Sequence, residues 1–295
     1  MGIDILSPAP KVSVLMPVYN TQEDHLRSAI DSILSQTYTD FEFLILNDAS
    51  TDANVEKVVR SYDDSRIVYS VNERNMGISA TRNRLIHMAK GEYLAVFDHD
   101  DISHAQRLAE EAAYLDEHPQ TGVVSTLVEN RSSKKTTISE APENSNDIKR
   151  SLMTSCVVSH SGCMIRKSVL INHHIQYEAV YSPSEDYALF CRLVNKTEFH
   201  IIQKVLLYYR DHIGNTTHLK KNEMERATLA IEEFVRRNNP ELWDLVRVNA
   251  VRKHRFLLFK SLKLIKIVET INRKDFYLFS CIPIFSIQKE RWVRK

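Results

Sequence analysis

Glycine is scarce in this chain, with six in 295 residues. No Gly-x-Gly-x-x-Gly follows an apolar run, and no Gly-x-x-x-x-Gly-Lys-Ser/Thr occurs. The chain therefore lacks the glycine-rich loops whose backbone N–H groups cradle phosphates. Cysteine is also rare, at Cys156, Cys163, Cys191 and Cys281. No two of these have CxxC or zinc-ligand spacing, which excludes a disulfide framework and a structural zinc. A reducing, cytoplasmic setting is expected. Long apolar runs are missing too. The stretch Phe276 to Ile287 spans 12 residues and contains Pro283, too short for a membrane-spanning helix. Met1 to Pro10 has no basic residue before its prolines, so no signal peptide is expected.

What is present is ordinary globular composition, 43% apolar and 26% charged, which places the chain among folded α/β or mixed domains. The net charge of +1 hides an asymmetry. Residues 247–295 carry thirteen Lys or Arg against three Asp or Glu, a net of +10, so residues 1–246 carry −9. A basic tail on an acidic body suits an anionic membrane surface, and equally a solvated helical face.

The first hundred residues alternate. Val12 to Tyr19, Phe41 to Leu46, Ile67 to Val71 and Tyr93 to Phe97 read as strands. His25 to Gln36, Val55 to Tyr62 and Ser79 to Ala89 have helical spacing. This pattern predicts a Rossmann-like, mostly parallel central sheet flanked by helices. Ligands of such sheets sit at the carboxyl ends of the strands. Three strands deliver polar clusters there: Tyr19 and Asn20, Asp48 to Asp52, and Asp98 to Asp101. Three carboxylates within four residues repel one another, and a divalent cation would relieve that repulsion. Mn²⁺ or Mg²⁺ bridging carboxylates to phosphate oxygens would also replace the missing glycine cradle.

Five segments carry a resemblance. They are Val14 to Asn20, Leu46 to Asp52, Asn75 to Gly77, Ala80 to Asn83, and Phe97-Asp-His-Asp-Asp101. In order and spacing they resemble the family 2 glycosyltransferases, enzymes of the GT-A fold that invert the anomeric carbon. Ser184-Glu-Asp186 and Tyr209-Arg-Asp-His212 resemble later motifs of that family, so the likeness covers residues 11–218. It implies a nucleobase pocket lined by Pro17, Tyr19 and Asp48, with Asn75 and Arg82 on the donor side. It implies Asp98 beside the ribose, Asp100 as metal ligand, His212 closing the metal site, and Asp186 as general base. His99 takes a variable position and is expected to face solvent. Glu185 reads either as part of this motif or as a helix-start residue.

The resemblance implies a catalytic domain over 1–220, with a nucleotide-sugar half near 11–128 and an acceptor half at 129–220. Residues 129–150 read as a polar surface loop. A basic helical region at 221–295 would follow, with an amphipathic helix over Arg247 to Val268. The expected reaction transfers a sugar from a nucleotide diphosphate donor, with uridine favoured, to a glycan or glycolipid acceptor. The last stretch resembles a terminal segment of some bacterial surface-polysaccharide transferases, which points the acceptor towards lipopolysaccharide, lipooligosaccharide or capsule precursors, and the basic tail leads to the expectation of a cytoplasmic enzyme peripheral on the inner face of the membrane. Two alternatives are a nucleotidyltransferase, which ordinarily needs a glycine-rich basic loop, and an inactive nucleotide-sugar-binding scaffold. No nucleic-acid partner is expected, because no recognition motif accompanies the basic tail.

Overall fold

A computed structural model describes residues 9–132, 135–212, 214–250, 254–259, 262–269, 273–278 and 282–288. Cys281, noted above, lies outside the described residues.

Strand β1 (Val12–Val18) forms the centre of the first half. It pairs in parallel with β2 (Phe41–Asn47) and β4 (Tyr93–Val96), and β2 pairs in parallel with β3 (Ile67–Val71). Every residue of β1, β2 and β4 is buried, as expected of parallel strands covered on both faces. Helix α1 (Glu23–Leu34) covers this sheet with Leu26, Ala29, Ile30 and Ile33, the i, i+3, i+4, i+7 stripe of an amphipathic helix. Helix α2 (Asn54–Arg60) buries Val55, Val58 and Val59. Helix α3 (Ile78–Met88) follows Gly77, whose φ of 80° suits glycine.

The pairing changes character after β4. Strand β5 (Ile102–Ser103) and helix α4 (Arg107–Glu117) lead into the long β6 (Thr121–Arg131). β4 pairs antiparallel with β8 (Cys163–Arg166), which pairs antiparallel with β6. β6 then runs parallel to β9 (Glu198–Arg210), and β9 takes β5 antiparallel at the edge. The sheet order is β3-β2-β1-β4-β8-β6-β9-β5. It is parallel in the first half and mixed in the second. Helix α6 (Lys167–Asn172), a 3-10 turn at Ala179–Tyr181 and helix α7 (Glu185–Leu193) fill the connection between β8 and β9.

Residues 129–150 are more ordered than a polar surface loop. β6 extends to Arg131 and pairs with β7 (Thr136–Ile138), and helix α5 (Ser145–Leu152) follows. Two threonines and an isoleucine favour the extended hairpin. Asn144 caps α5 by accepting from the Asp147 N–H, and Ile148 and Leu152 bury its inner side.

The chain divides into two compact units after Glu232. Helices α8 (Thr216–Leu219), α9 (Lys221–Asn238) and α10 (Pro240–Ala250) agree with the helical reading of that region. The amphipathic helix expected over Arg247 to Val268 is corrected, because helix ends at Ala250. Strands β10 (His254–Phe259), β11 (Leu262–Glu269), β12 (Arg273–Leu278) and β13 (Ile282–Gln288) follow as an antiparallel sheet in that order. Branched and aromatic residues, including Ile265, Ile267, Val268, Phe276 and Tyr277, favour the extended state over the helical one. Among the described residues, no helix is long and apolar enough to cross a membrane.

A buried polar chain ties the α3–β4 connection to the sheet. Glu42 accepts from the Ser13 hydroxyl at 2.6 Å and from the Lys90 N–H at 2.6 Å, and the Ser13 hydroxyl accepts from the Gly91 N–H at 2.8 Å. A Cβ on Gly91 would lie 2.6 Å from the Ser13 nitrogen and 2.7 Å from the Val12 carbonyl carbon, both backbone atoms that cannot swing aside. Gly91→Ala should therefore cost about 1–3 kcal/mol, the range for overpacking, and equilibrium urea unfolding measures it.

Candidate active site

The carboxyl ends of β1, β2 and β4 meet as expected. After β1, Tyr19 is 42% exposed and Pro17 is buried within the strand. Asn20, at φ 49°, reaches across to the loop after β2. Its side-chain oxygen accepts from the Thr51 N–H at 2.9 Å and the Asp52 N–H at 3.3 Å. Asp48 is buried beneath this rim. One of its oxygens accepts from Asn72 Nδ2 at 2.6 Å and the Met76 N–H at 2.8 Å, and the other from the Gly77 N–H at 2.9 Å. Asp48 thus fastens the loop that carries Asn75, which is itself exposed. Pro17, Tyr19, Asp48 and Asn75 share one rim.

The acidic loop leaves β4 through Phe97, whose N–H donates to the Leu15 carbonyl at 3.1 Å. The Asp98 N–H donates to the Ser161 hydroxyl at 3.0 Å. Arg82, on α3 and 8% exposed, sits between two carboxylates. It donates to Asp98 at 3.0 Å and to Glu185 at 2.6 Å, and its guanidinium lies over the Tyr177 ring at 5.6 Å. Burial disfavours its charge, but Asp98 and Glu185 outweigh that and hold its pKa above the ordinary value. The expected donor-side pair Asp98 and Arg82 is thus brought together. Glu185, the first residue of α7, serves as a partner for this buried cation, and no side-chain cap bond forms at that helix start.

The expected metal residues also meet. His212 Nε2 lies 3.1 Å from Asp100 Oδ2. Asn215 folds the segment that carries the histidine. It accepts from the His212 N–H at 2.8 Å and donates to the Tyr209 hydroxyl at 2.7 Å and the Arg210 carbonyl at 3.1 Å. Arg210 donates through Nε to the Asp100 carbonyl at 3.1 Å and through its backbone N–H to Asp101 at 3.2 Å. The His25 ring lies 5.0 Å from that of His212. Among the described residues no group of three His, Cys, Asp or Glu could hold a metal ion. One carboxylate and one imidazole fit a Mn²⁺ or Mg²⁺ whose other ligands come from phosphate oxygens and water. Asp101 is buried, with one oxygen unpartnered. Burial, then Asp100 and Asp98, raise its pKa well above the carboxylate range. His99 is part-buried rather than solvent-facing, with Nδ1 enclosed and unpartnered.

Asp186, the second residue of α7, is only partly covered. Burial first, and Glu185 beside it second, push its pKa up to about 6, against the pull of Arg82. A carboxylate of that basicity can accept a proton near neutral pH. Behind it, His160 Nε2 meets the Tyr177 hydroxyl at 2.7 Å, and burial lowers the His160 pKa to about 3. Asn83 clamps the Tyr177 backbone, donating to its carbonyl at 2.8 Å and accepting from its N–H at 2.9 Å. Tyr177, Asn215 and His25 were missed by sequence reasoning. Only Asn83, inside a quoted motif, offered a signal towards them.

The model of glycosyl transferase family 2 matches residues 13–173 of this chain. The chain is 31% identical over 207 residues to an uncharacterised glycosyltransferase of Methanocaldococcus jannaschii, covering 68% of this chain and 71% of that protein. It is 37% identical over 123 residues to the putative glycosyltransferase EpsE of Bacillus subtilis, covering 41% and 44%. Among solved structures, S. aureus TarS 1–349 in complex with UDP-GlcNAc superimposes with a TM-score of 0.61 at 18% identity, over 81% of this chain and 80% of that one. The mannosyltransferase PcManGT of Pyrobaculum calidifontis, in complex with GDP-Man and Mn²⁺, gives 0.53 at 14% identity, over 83% and 75%. Those two likenesses concern the fold. With a family match over more than half its length, on a sheet of GT-A type, the chain belongs to glycosyl transferase family 2.

Proposed function

We propose that this glycosyltransferase takes its sugar from a uridine diphosphate donor and delivers it, with inversion, to a hydroxyl of a growing bacterial surface glycan. The observation that carries the reading is one juxtaposition. Arg82 joins Asp98, on the donor loop, to Glu185, next to the candidate base Asp186. Both sides of a transfer reaction are thereby held by one cation.

Uridine is favoured by the accounting at Asp48. Its carboxylate offers about four lone-pair sites and spends three on Asn72, Met76 and Gly77. The remaining acceptor suits the N3–H of uracil, and repels the unprotonated N3 of cytosine. Tyr19, exposed at the same rim, offers a ring face for stacking.

The acceptor hydroxyl oxygen attacks the anomeric carbon as the bond from that carbon to the diphosphate oxygen breaks. The electron pair leaves with the diphosphate, and the hydroxyl proton passes to Asp186. Attack from the face opposite the leaving group inverts the configuration. Mn²⁺ or Mg²⁺, when held by Asp100 and His212, supplies positive charge for the departing diphosphate. Arg82 holds the Asp98 carboxylate in place, and Asn215 presents His212. The net +10 of residues 247–295 supports a peripheral site on an anionic cytoplasmic membrane surface, where a glycolipid acceptor would reside. An inactive scaffold would have no use for a basic carboxylate at position 186.

The direct test is a panel of nucleotide sugars assayed for Mn²⁺-dependent release of nucleoside diphosphate. Turnover with a UDP-sugar is expected, and no response to any UDP-sugar would sink the donor assignment. Asp186→Asn should lower kcat by about 10²–10⁴-fold, the usual size of a general-base contribution, with thermal unfolding little changed. A base must be deprotonated, so in the native enzyme log kcat/KM should fall with unit slope below about pH 6 and level off above it. His212→Ala and Asp100→Ala should each raise the half-saturating Mn²⁺ concentration at least about tenfold, equivalent to about 1.4 kcal/mol. Mn²⁺ binding in the presence of UDP, followed by calorimetry, measures it.

A further inference from the structure

Behind the acidic loop lies a second arginine that the reaction as described does not use. Arg107, near the start of α4, is fully buried, and so is Glu111 one turn later. Burying a guanidinium is costly unless its donors are taken up. Here Nε and Nη1 are taken up at the two ends of the acidic loop and at Ser161, while Nη2 has no hydrogen-bond partner among the described residues. Nη1 donates to the Val96 carbonyl at 3.1 Å, immediately before Phe97 and Asp98. Nε donates to the Ser103 hydroxyl at 2.9 Å, two residues beyond Asp101. Nη1 also donates to the Ser161 carbonyl at 3.0 Å, and the Ser161 hydroxyl receives the Asp98 N–H. The guanidinium plane lies 5.3 Å from the Phe97 ring centroid. One fork therefore touches Val96 before the aspartates, Ser103 after them, and Ser161, whose hydroxyl accepts from the Asp98 backbone N–H.

Glu111 does not cancel this charge. Its nearest oxygen is 3.9 Å from Nη1, beyond hydrogen-bond range, and both its oxygens are unpartnered among the described residues. Burial pushes its pKa up to about 8, so it is mostly protonated at neutral pH.

We propose that Arg107 is a positioning residue for the donor site, fixing the spacing of the two ends of the 96–103 segment so that Asp98 and Asp100 are presented together to the diphosphate and its metal. The proposal rests on the reading that these two aspartates serve the donor. A lysine would retain the charge but offers a single point in place of a planar fork.

The test uses the full chain with Arg107→Lys, and Ser103→Ala as a milder second variant should the first not fold. Three quantities are compared with the native protein: hydrogen exchange by peptide, the dissociation constant of uridine, and that of UDP with Mn²⁺. In Arg107→Lys, exchange should speed up over 96–103 while peptides of β1 and β2 stay unchanged. Uridine affinity should hold within about twofold while UDP–Mn²⁺ affinity falls about tenfold or more, the scale of losing a supporting partner. Ser103→Ala should move both readouts the same way by less. A merely structural arginine would weaken uridine and UDP alike and speed exchange across the sheet, and that result overturns the proposal. So does unchanged exchange over 96–103 in folded variants of both kinds. If the native protein binds neither uridine nor UDP, the donor assignment fails, while the exchange result still decides the role of Arg107.

Discussion

Arg82 sits where two carboxylates from distant parts of the chain must come close. Asp98 follows β4 in the parallel half of the sheet, and Glu185 opens α7 in the mixed half, 103 residues from Arg82. Glu185 is buried and could not stand unpaired, because a desolvated charge without a partner costs several kcal/mol, whereas Asp98 keeps part of its side chain in solvent. The guanidinium answers both at once with N–H donors in a fixed plane, which sets the separation between the donor loop and the helix of the candidate base. Without that cation Asp98, Glu185 and Asp186 would face one another across a low-dielectric gap, and the two sides of the site would repel. The site is therefore an arrangement of acids made tolerable by two buried arginines, Arg82 between them and Arg107 behind them.

Much of the parallel half was legible in the sequence. Val12 to Val18 and Phe41 to Asn47 are apolar runs closed by polar residues, and α1 shows its stripe at Leu26, Ala29, Ile30 and Ile33. Local pattern suffices where each element meets its immediate neighbours. The same holds for Asp98 and Asp100, adjacent along the chain, and for Asp48, which ends a strand. Legibility fails where partners are remote. Nothing in the spacing of Arg82 and Glu185 announces contact, and for Asp100 and His212 only the family resemblance pointed there. The amphipathic count over Arg247 to Val268 admitted a helix. It ignored the branched and aromatic residues that pair as strands β10 to β13. Residues 129–150 were misread for the converse reason, since their polarity concealed a capped helix and a hairpin.

The change of direction at β4 and β8 divides the labour. Up to β4 the strands point their carboxyl ends at one rim, where successive loops of a parallel sheet ordinarily assemble a ligand site. From β8 onwards the antiparallel and crossing strands carry supports instead: Ser161 beneath Asp98, Asn215 behind His212, and Tyr177 under Arg82. α7 adds Asp186 to this frame. A mixed sheet thus lets residues from four separate segments gather around the acidic loop and its partners.

The hold of Asp48 on the loop after β3 has an entropic consequence. With the Met76 and Gly77 N–H groups already bound to its carboxylate and Gly77 already left-handed, the segment carrying Asn75 is set before any ligand arrives. A ligand bound against that side would meet a finished wall and would have no chain to order there.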